Sequence, residues 1–208
     1  SYDQVKKTVD CLKKIQKLYK NLYLNFVITV TPQNSGDCPN FIKILLKEFN
    51  PAAISINLFR YHSLKHPPLS QKLIDDYKKT VDTYKKFLFK GYLTHYGFFG
   101  AKILKIKEIL QKELIYNVAK FNKFITPCTA GNLSYVIMED GSLKPCEILS
   151  DNLGKITNKK DFSIRKLFLS KKAKNLRSWI VKTKCKCTYE CAMSTNTLFT
   201  WPMIKKWV

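Results

Sequence analysis

No stretch of eighteen apolar residues occurs in the 208-residue chain, so no transmembrane helix is expected. Its first residues, Ser1-Tyr2-Asp3-Gln4-Val5, contain neither an initiator Met nor the apolar segment of a secretion signal, and a portion of a longer protein is the expectation. No internal repeat and no low-complexity tract is found. Acidic residues are few, 15 Asp+Glu against 37 Lys+Arg, which leaves a net charge of +22. An excess of that size attracts phosphate whatever the fold. Arginine is scarce, however, and the lysines are scattered over helical faces, so a solvated basic surface ranks above a dedicated RNA groove. Seven cysteines, an odd number and without a secretion signal, argue for reduced thiols and metal ligation rather than a disulfide framework. The cytoplasm is the expected compartment.

What is present suffices for a packed core, with 45% hydrophobic residues. Val5, Val9, Leu12, Ile15 and Leu18 recur at helical spacing over 3–20. Residues 22–31 alternate as a strand that stops at Pro32 and the turn-forming Asn34-Ser35-Gly36-Asp37. A second helix is expected over 39–49 and a second strand over 53–59, the order of parallel α/β units. Both strands carry one aliphatic face and one partly polar face, the latter with Thr29, Thr31, Ser55 and Asn57. If helices cover the aliphatic side, the polar side lines a lumen or cleft. Two long helices are expected over 70–90 and 100–123.

The texture changes at Pro127. Residues 133–138 and 142–146 read as two strands joined at Glu139-Asp140-Gly141, and 161–182 reads as a helix. Five cysteines decorate this part: Cys128 before the hairpin, Cys146 at its end, and the group Cys185, Cys187 and Cys191 after the helix. Four thiolates meet the needs of zinc or of an iron–sulfur centre. In an extended tail Cys185 and Cys187 share a face; in a helical one Cys187 and Cys191 do. Lys182, Lys184 and Lys186 favour the thiolate form.

Cys128-x12-Gly141-x4-Cys146, read with Ser134 to Gly141 and Leu153-Gly154-Lys155-Ile156, resembles the auxiliary-cluster domain of radical S-adenosylmethionine (SAM) enzymes, called SPASM or, in its one-cluster form, twitch. The resemblance covers about residues 125–192. It implies an auxiliary [4Fe–4S] cluster held by a set drawn from Cys128, Cys146, Cys185, Cys187 and Cys191. The tail Cys185-x-Cys187-x3-Cys191 replaces a longer cysteine run of the family, so a single cluster is implied, with the ligands among the last three left open. Residues 1–124 are similar to the C-terminal half of the family's partial (β/α)6 barrel, and 125–208 to its small α+β domain. By position, the resemblance offers Thr29, Thr31, Ser55, Asn57 and Arg60 as SAM contacts, Arg60 toward the methionyl carboxylate.

The family's SAM-cleaving Cys-x3-Cys-x2-Cys motif is missing from residues 1–208. By itself the chain is expected to be inactive, as the C-terminal part of an enzyme that modifies a peptide or protein with an external reductant. The same residue types suit a structural zinc module with a basic RNA-binding surface, and spacing does not separate the two. Several residues have plainer readings: Cys11 and Cys38 as incidental thiols, Ser55 and Asn57 as partners in an ordinary core, Arg60 as an ion pair, and Phe199, Trp201 and Trp207 as core. His62 and His66 precede Pro67-Pro68 in a loop, where substrate contact is a better reading than metal ligation.

Overall fold

The computed structural model describes residues 2–19, 21–61, 67–93, 100–157 and 163–206. It is mixed α/β and divides into two compact units, one of Ser1–Phe59 with Asp75–Ile106 and one of Arg60–Ile74 with Lys107–Val208. His62, His66 and Trp207 lie outside the described residues.

The first unit contains α1 (Tyr2–Leu18), β1 (Asn25–Val30), α2 (Cys38–Phe49), β2 (Ala53–Leu58) and most of α3 (Gln71–Phe89). β1 and β2 run parallel in the register Val27↔Ser55 and Thr29↔Asn57, joined through α2. Their aliphatic face supplies the fully buried Val30, Ile54, Ile56 and Leu58. Ile42, Leu45 and Phe49 of α2 and Tyr77, Val81, Tyr84 and Leu88 of α3 are buried with them, at the three- and four-residue spacings that put side chains on one helical face. The opposite strand face is open: Asn25, Val27 and Thr29 are exposed, and Ser55 and Asn57 are half-buried.

The β1–α2 turn is closed by Asn34, which accepts from the Thr31 N–H at 2.8 Å and donates to the Thr29 carbonyl at 3.0 Å. α2 ends at Asn50, which adopts the left-handed conformation at φ 42° and returns its N–H to the Leu46 carbonyl. The buried Ser35 hydroxyl donates to the buried Asp76 carboxylate at 2.9 Å, fastening this turn to α3. Ser35→Ala leaves that carboxylate short of a donor, and a loss of about 1 kcal/mol is expected in urea unfolding. An unchanged midpoint would mean that the bond contributes nothing. α1 buries Val9, but Val5, Ile15 and Leu18 of its apolar stripe are exposed, as is Cys11.

The second unit contains the remainder of α4 (Ala101–Phe121), a three-stranded antiparallel sheet of β3 (Val136–Ile137), β4 (Ser142–Lys144) and β5 (Gly154–Lys155), and the helices α5 (Ile164–Leu169), α6 (Lys171–Lys182), α7 (Glu190–Phe199) and α8 (Trp201–Ile204). The expected hairpin is present, with Val136 opposite Lys144. Gly141 turns it at φ 81°, where a Cβ would lie 3.2 Å from the Ile156 carbonyl oxygen. The single helix expected over 161–182 is two, because the Ser170 hydroxyl accepts from the Ala173 N–H and starts α6 afresh. Phe199 and Trp201 are 61% and 67% exposed, so neither forms the core expected of them.

The core of this unit is built from Ala130, Leu143, Cys146, Leu149, Leu153, Ala173, Leu176, Ile180, Tyr189 and Ala192. Cys128, Cys185 and Cys187 pack against it.

Candidate metal centre

The hairpin and the tail deliver four thiols to one apolar cluster. Cys128 precedes the hairpin and Cys146 follows β4, so the antiparallel pairing folds two residues distant in sequence toward each other. Cys185 and Cys187 lie in the extended segment between α6 and α7, the Cys185 N–H bonded to the Ile180 carbonyl at 3.0 Å. Of the two arrangements open from sequence, the extended one obtains. Cys191 begins α7 and is exposed. Cys38 is buried apart in the first unit, its thiol donating to the Asn34 carbonyl at 3.3 Å.

The four thiols sense one another. Cys185 donates to Cys128, and that bond, helped by the Ala130 N–H and the Asn196 side chain, holds the Cys128 thiol down to about 7 against the opposing effect of burial. Cys185 is pushed well up as the donor, then by burial, and further by the charges of Cys128, Cys187 and Cys146. Burial pushes Cys187 up to about 12; Cys128 and Cys146 add to the rise, while the Tyr189 N–H and the Arg60 guanidinium oppose it. Cys146 is raised by burial against N–H groups from Leu149, at 3.4 Å, and Ile148. Backbone amides two residues downstream therefore point at the sulfurs of Cys128, Cys146 and Cys187. Such N–H···S bonds favour thiolate over thiol. Mutual repulsion of thiolates is the unfavourable part, and a central cation turns it into attraction.

Three neighbours complete the surroundings. Arg60 Nη2 binds Glu147 Oε2 at 2.7 Å, and its guanidinium carbon lies 4.4 Å from the centre of the Tyr189 ring. The Tyr189 hydroxyl is pushed up by burial and by hydrogen bonds to Cys191 and Glu147. Asn196, fully buried on α7, accepts at 2.8 Å from both the N–H and the hydroxyl of Thr129, tying α7 to the residue after Cys128. Glu147, Tyr189 and Asn196 carry no spacing signal; only the neighbourhood of Glu147 to Cys146 and of Tyr189 to Cys187 hinted at them.

As placed, the thiols bond to one another and to backbone: among the described residues no three His, Cys, Asp or Glu side chains are arranged to hold a metal ion. The donor set nonetheless fits a four-thiolate centre in number and chemistry, since each sulfur sits on a short side chain turned by a single torsion.

The polar residues offered for SAM contact are differently disposed. Thr29 and Asn57 are partners across the parallel strands, Ser55 accepts from Asn25 at 3.2 Å, and the Thr31 N–H is taken up by Asn34. Arg60 makes the ion pair of its plainer reading. Compared with protein-family models, curated proteins and solved structures, the chain matches none. No helix among the described residues is long and apolar enough to cross a membrane.

Proposed function

We propose that the second unit binds an auxiliary [4Fe–4S] cluster through Cys128, Cys146, Cys185 and Cys187, with Cys191 outside the set, as part of an enzyme that uses SAM to modify a peptide or protein. The reading is supported above all by the backbone N–H groups aimed at three of the four sulfurs in one buried cluster. A thiol that is merely core filler has no use for such donors, whereas a ligating thiolate is stabilised by each. Bound there, the cluster would supply electron relay or an iron site for substrate. The chain's own residues exclude water through Leu143, Leu149 and Tyr189 and hold the sulfurs through amides. The open polar face with Thr29, Ser55 and Asn57 is the surface offered for SAM. Arg60, committed to Glu147 and Tyr189, leaves that set.

Anaerobic reconstitution with iron and sulfide tests the reading. About four irons per chain with a charge-transfer spectrum is the expected result. A colourless chain with one tight zinc would replace it by the zinc module, and retention of neither metal would end both.

A further inference from the structure

Arg60 stands out in composition before it does in structure. Of the 37 basic residues only Arg60, Arg165 and Arg177 are arginines. Lysine serves wherever a point charge is enough, and a guanidinium is needed where several groups must be held in a fixed plane. Arg177 does this inside the second unit, donating to the carbonyls of Gly131 and Phe168 and to the Tyr135 hydroxyl. Arg60 holds groups on two segments that the chain keeps far apart. Its partner Glu147 is 87 residues away and immediately follows Cys146, the hairpin thiol. The ring beneath it, Tyr189, is two residues past Cys187, the tail thiol, and offers that sulfur its backbone N–H. Glu147 and Tyr189 are themselves hydrogen-bonded, so the three side chains close a triangle.

We propose that the Arg60–Glu147–Tyr189 triangle is the positioning latch of the thiolate centre, fastening the hairpin segment to the tail segment and setting a fixed positive charge beside the sulfurs. The proposal rests on the four-thiolate reading above. As an isolated ion pair, half open to solvent, Arg60–Glu147 would stabilise the fold little. Its effect is local: without the guanidinium, the Glu147 carboxylate would stand next to Cys146 as one more negative charge beside a site that gathers four. Partners that orient and charge-compensate ligands typically account for 10- to 100-fold in metal affinity.

Zinc competition against a chromophoric chelator reads this whether the natural centre is zinc or iron–sulfur. Relative to wild type, Arg60→Met is expected to weaken zinc about 10- to 100-fold. Arg60→Lys should recover part of the loss, by keeping the charge without the fork or the stacking. The double variant Arg60→Met/Glu147→Gln should bind better than Arg60→Met alone, because the stranded carboxylate is gone. In reconstituted protein the midpoint potential should fall in Arg60→Met and rise in Glu147→Gln, since a nearby positive charge favours the reduced cluster. Shifts of opposite sign would not come from loosened packing. Equal zinc affinity in wild type and Arg60→Met overturns the latch while leaving the centre intact. A wild-type chain that binds neither zinc nor iron removes the centre and the latch together. Should Arg60→Met fail to fold, Arg60→Lys and the double variant carry the comparison, and identical affinity in both and wild type overturns the proposal.

Discussion

Serine at any one of Cys128, Cys146, Cys185 or Cys187 is expected to strip the chain of its metal, whereas Cys191→Ser, Cys38→Ser and Cys11→Ser retain it. The first four are buried or half-buried around one core, and the other three are exposed or buried in the other unit. A serine hydroxyl stays protonated where a thiol ionises, so one substitution removes a charge, a strong donor and the acceptor of an inward N–H together. Free energies of structural four-thiolate sites are on the order of 10 kcal/mol, and much of that is folding free energy, so the loss should also appear as a lower melting temperature in the metal-loaded protein. Metal content after gel filtration, together with melting before and after chelation, checks both. Metal loss in Cys191→Ser, or full retention in Cys187→Ser, would redraw the ligand set.

The second large effect lies on α4. The Glu108 carboxylate binds Lys107 at 2.9 Å and also Lys112, whose side chain is only 3% exposed. Burial alone would raise the Glu108 pKa, but the charges of Lys112 and Lys107 outweigh it and hold the carboxyl below the ordinary range. Burial lowers Lys112, with Glu108 opposing. Glu108→Gln leaves an ammonium in the interior without its nearest countercharge, and a loss of about 3 kcal/mol is expected. Replacing both partners by apolar residues, Glu108→Leu with Lys112→Met, should cost much less.

The pH dependence follows from the same shift. Because the folded pKa of Glu108 lies below its unfolded value near roughly 4.3, the unfolded chain binds more protons between the two. The stabilisation is complete above the unfolded value and is lost as pH falls through the folded one. Urea midpoints measured from neutral pH downward should therefore drop less steeply in Glu108→Gln than in wild type. Parallel curves would mean that Glu108 does not set the acid limit.

Most of the first 125 residues were legible because their information is local. Val9, Ile42, Leu45 and Phe49 repeat at helical spacing and are buried, and the alternation through Ile28, Val30, Ile54 and Ile56 marks one face of each strand. Glu139-Asp140-Gly141 marked the hairpin through a backbone requirement that glycine meets. Reading failed where tertiary bonds overrode local preference. α7 contains Ser194, Thr195, Asn196 and Thr197, a composition that favours caps and turns, yet Asn196 and Thr200 bond to Thr129 and Thr126 across the core and keep the segment helical. β5 is two residues long and forms only because Gly141 and Leu143 offer it backbone partners. The exposed Phe199 and Trp201 carry the composition of core residues in another setting.

The sequence by itself determined the parts: how many thiols there are, that a hairpin separates Cys128 from Cys146, and that helix and strand alternate before them. These follow from dihedral preference and side-chain period, which act over a few residues. Only the tertiary structure decided that Cys128, Cys146, Cys185 and Cys187 share one core while Cys191 faces out, and that Arg60 reaches Glu147 and Tyr189. Such pairings join segments tens of residues apart, and they come from the packing of apolar faces against each other, which leaves no spacing rule in the chain.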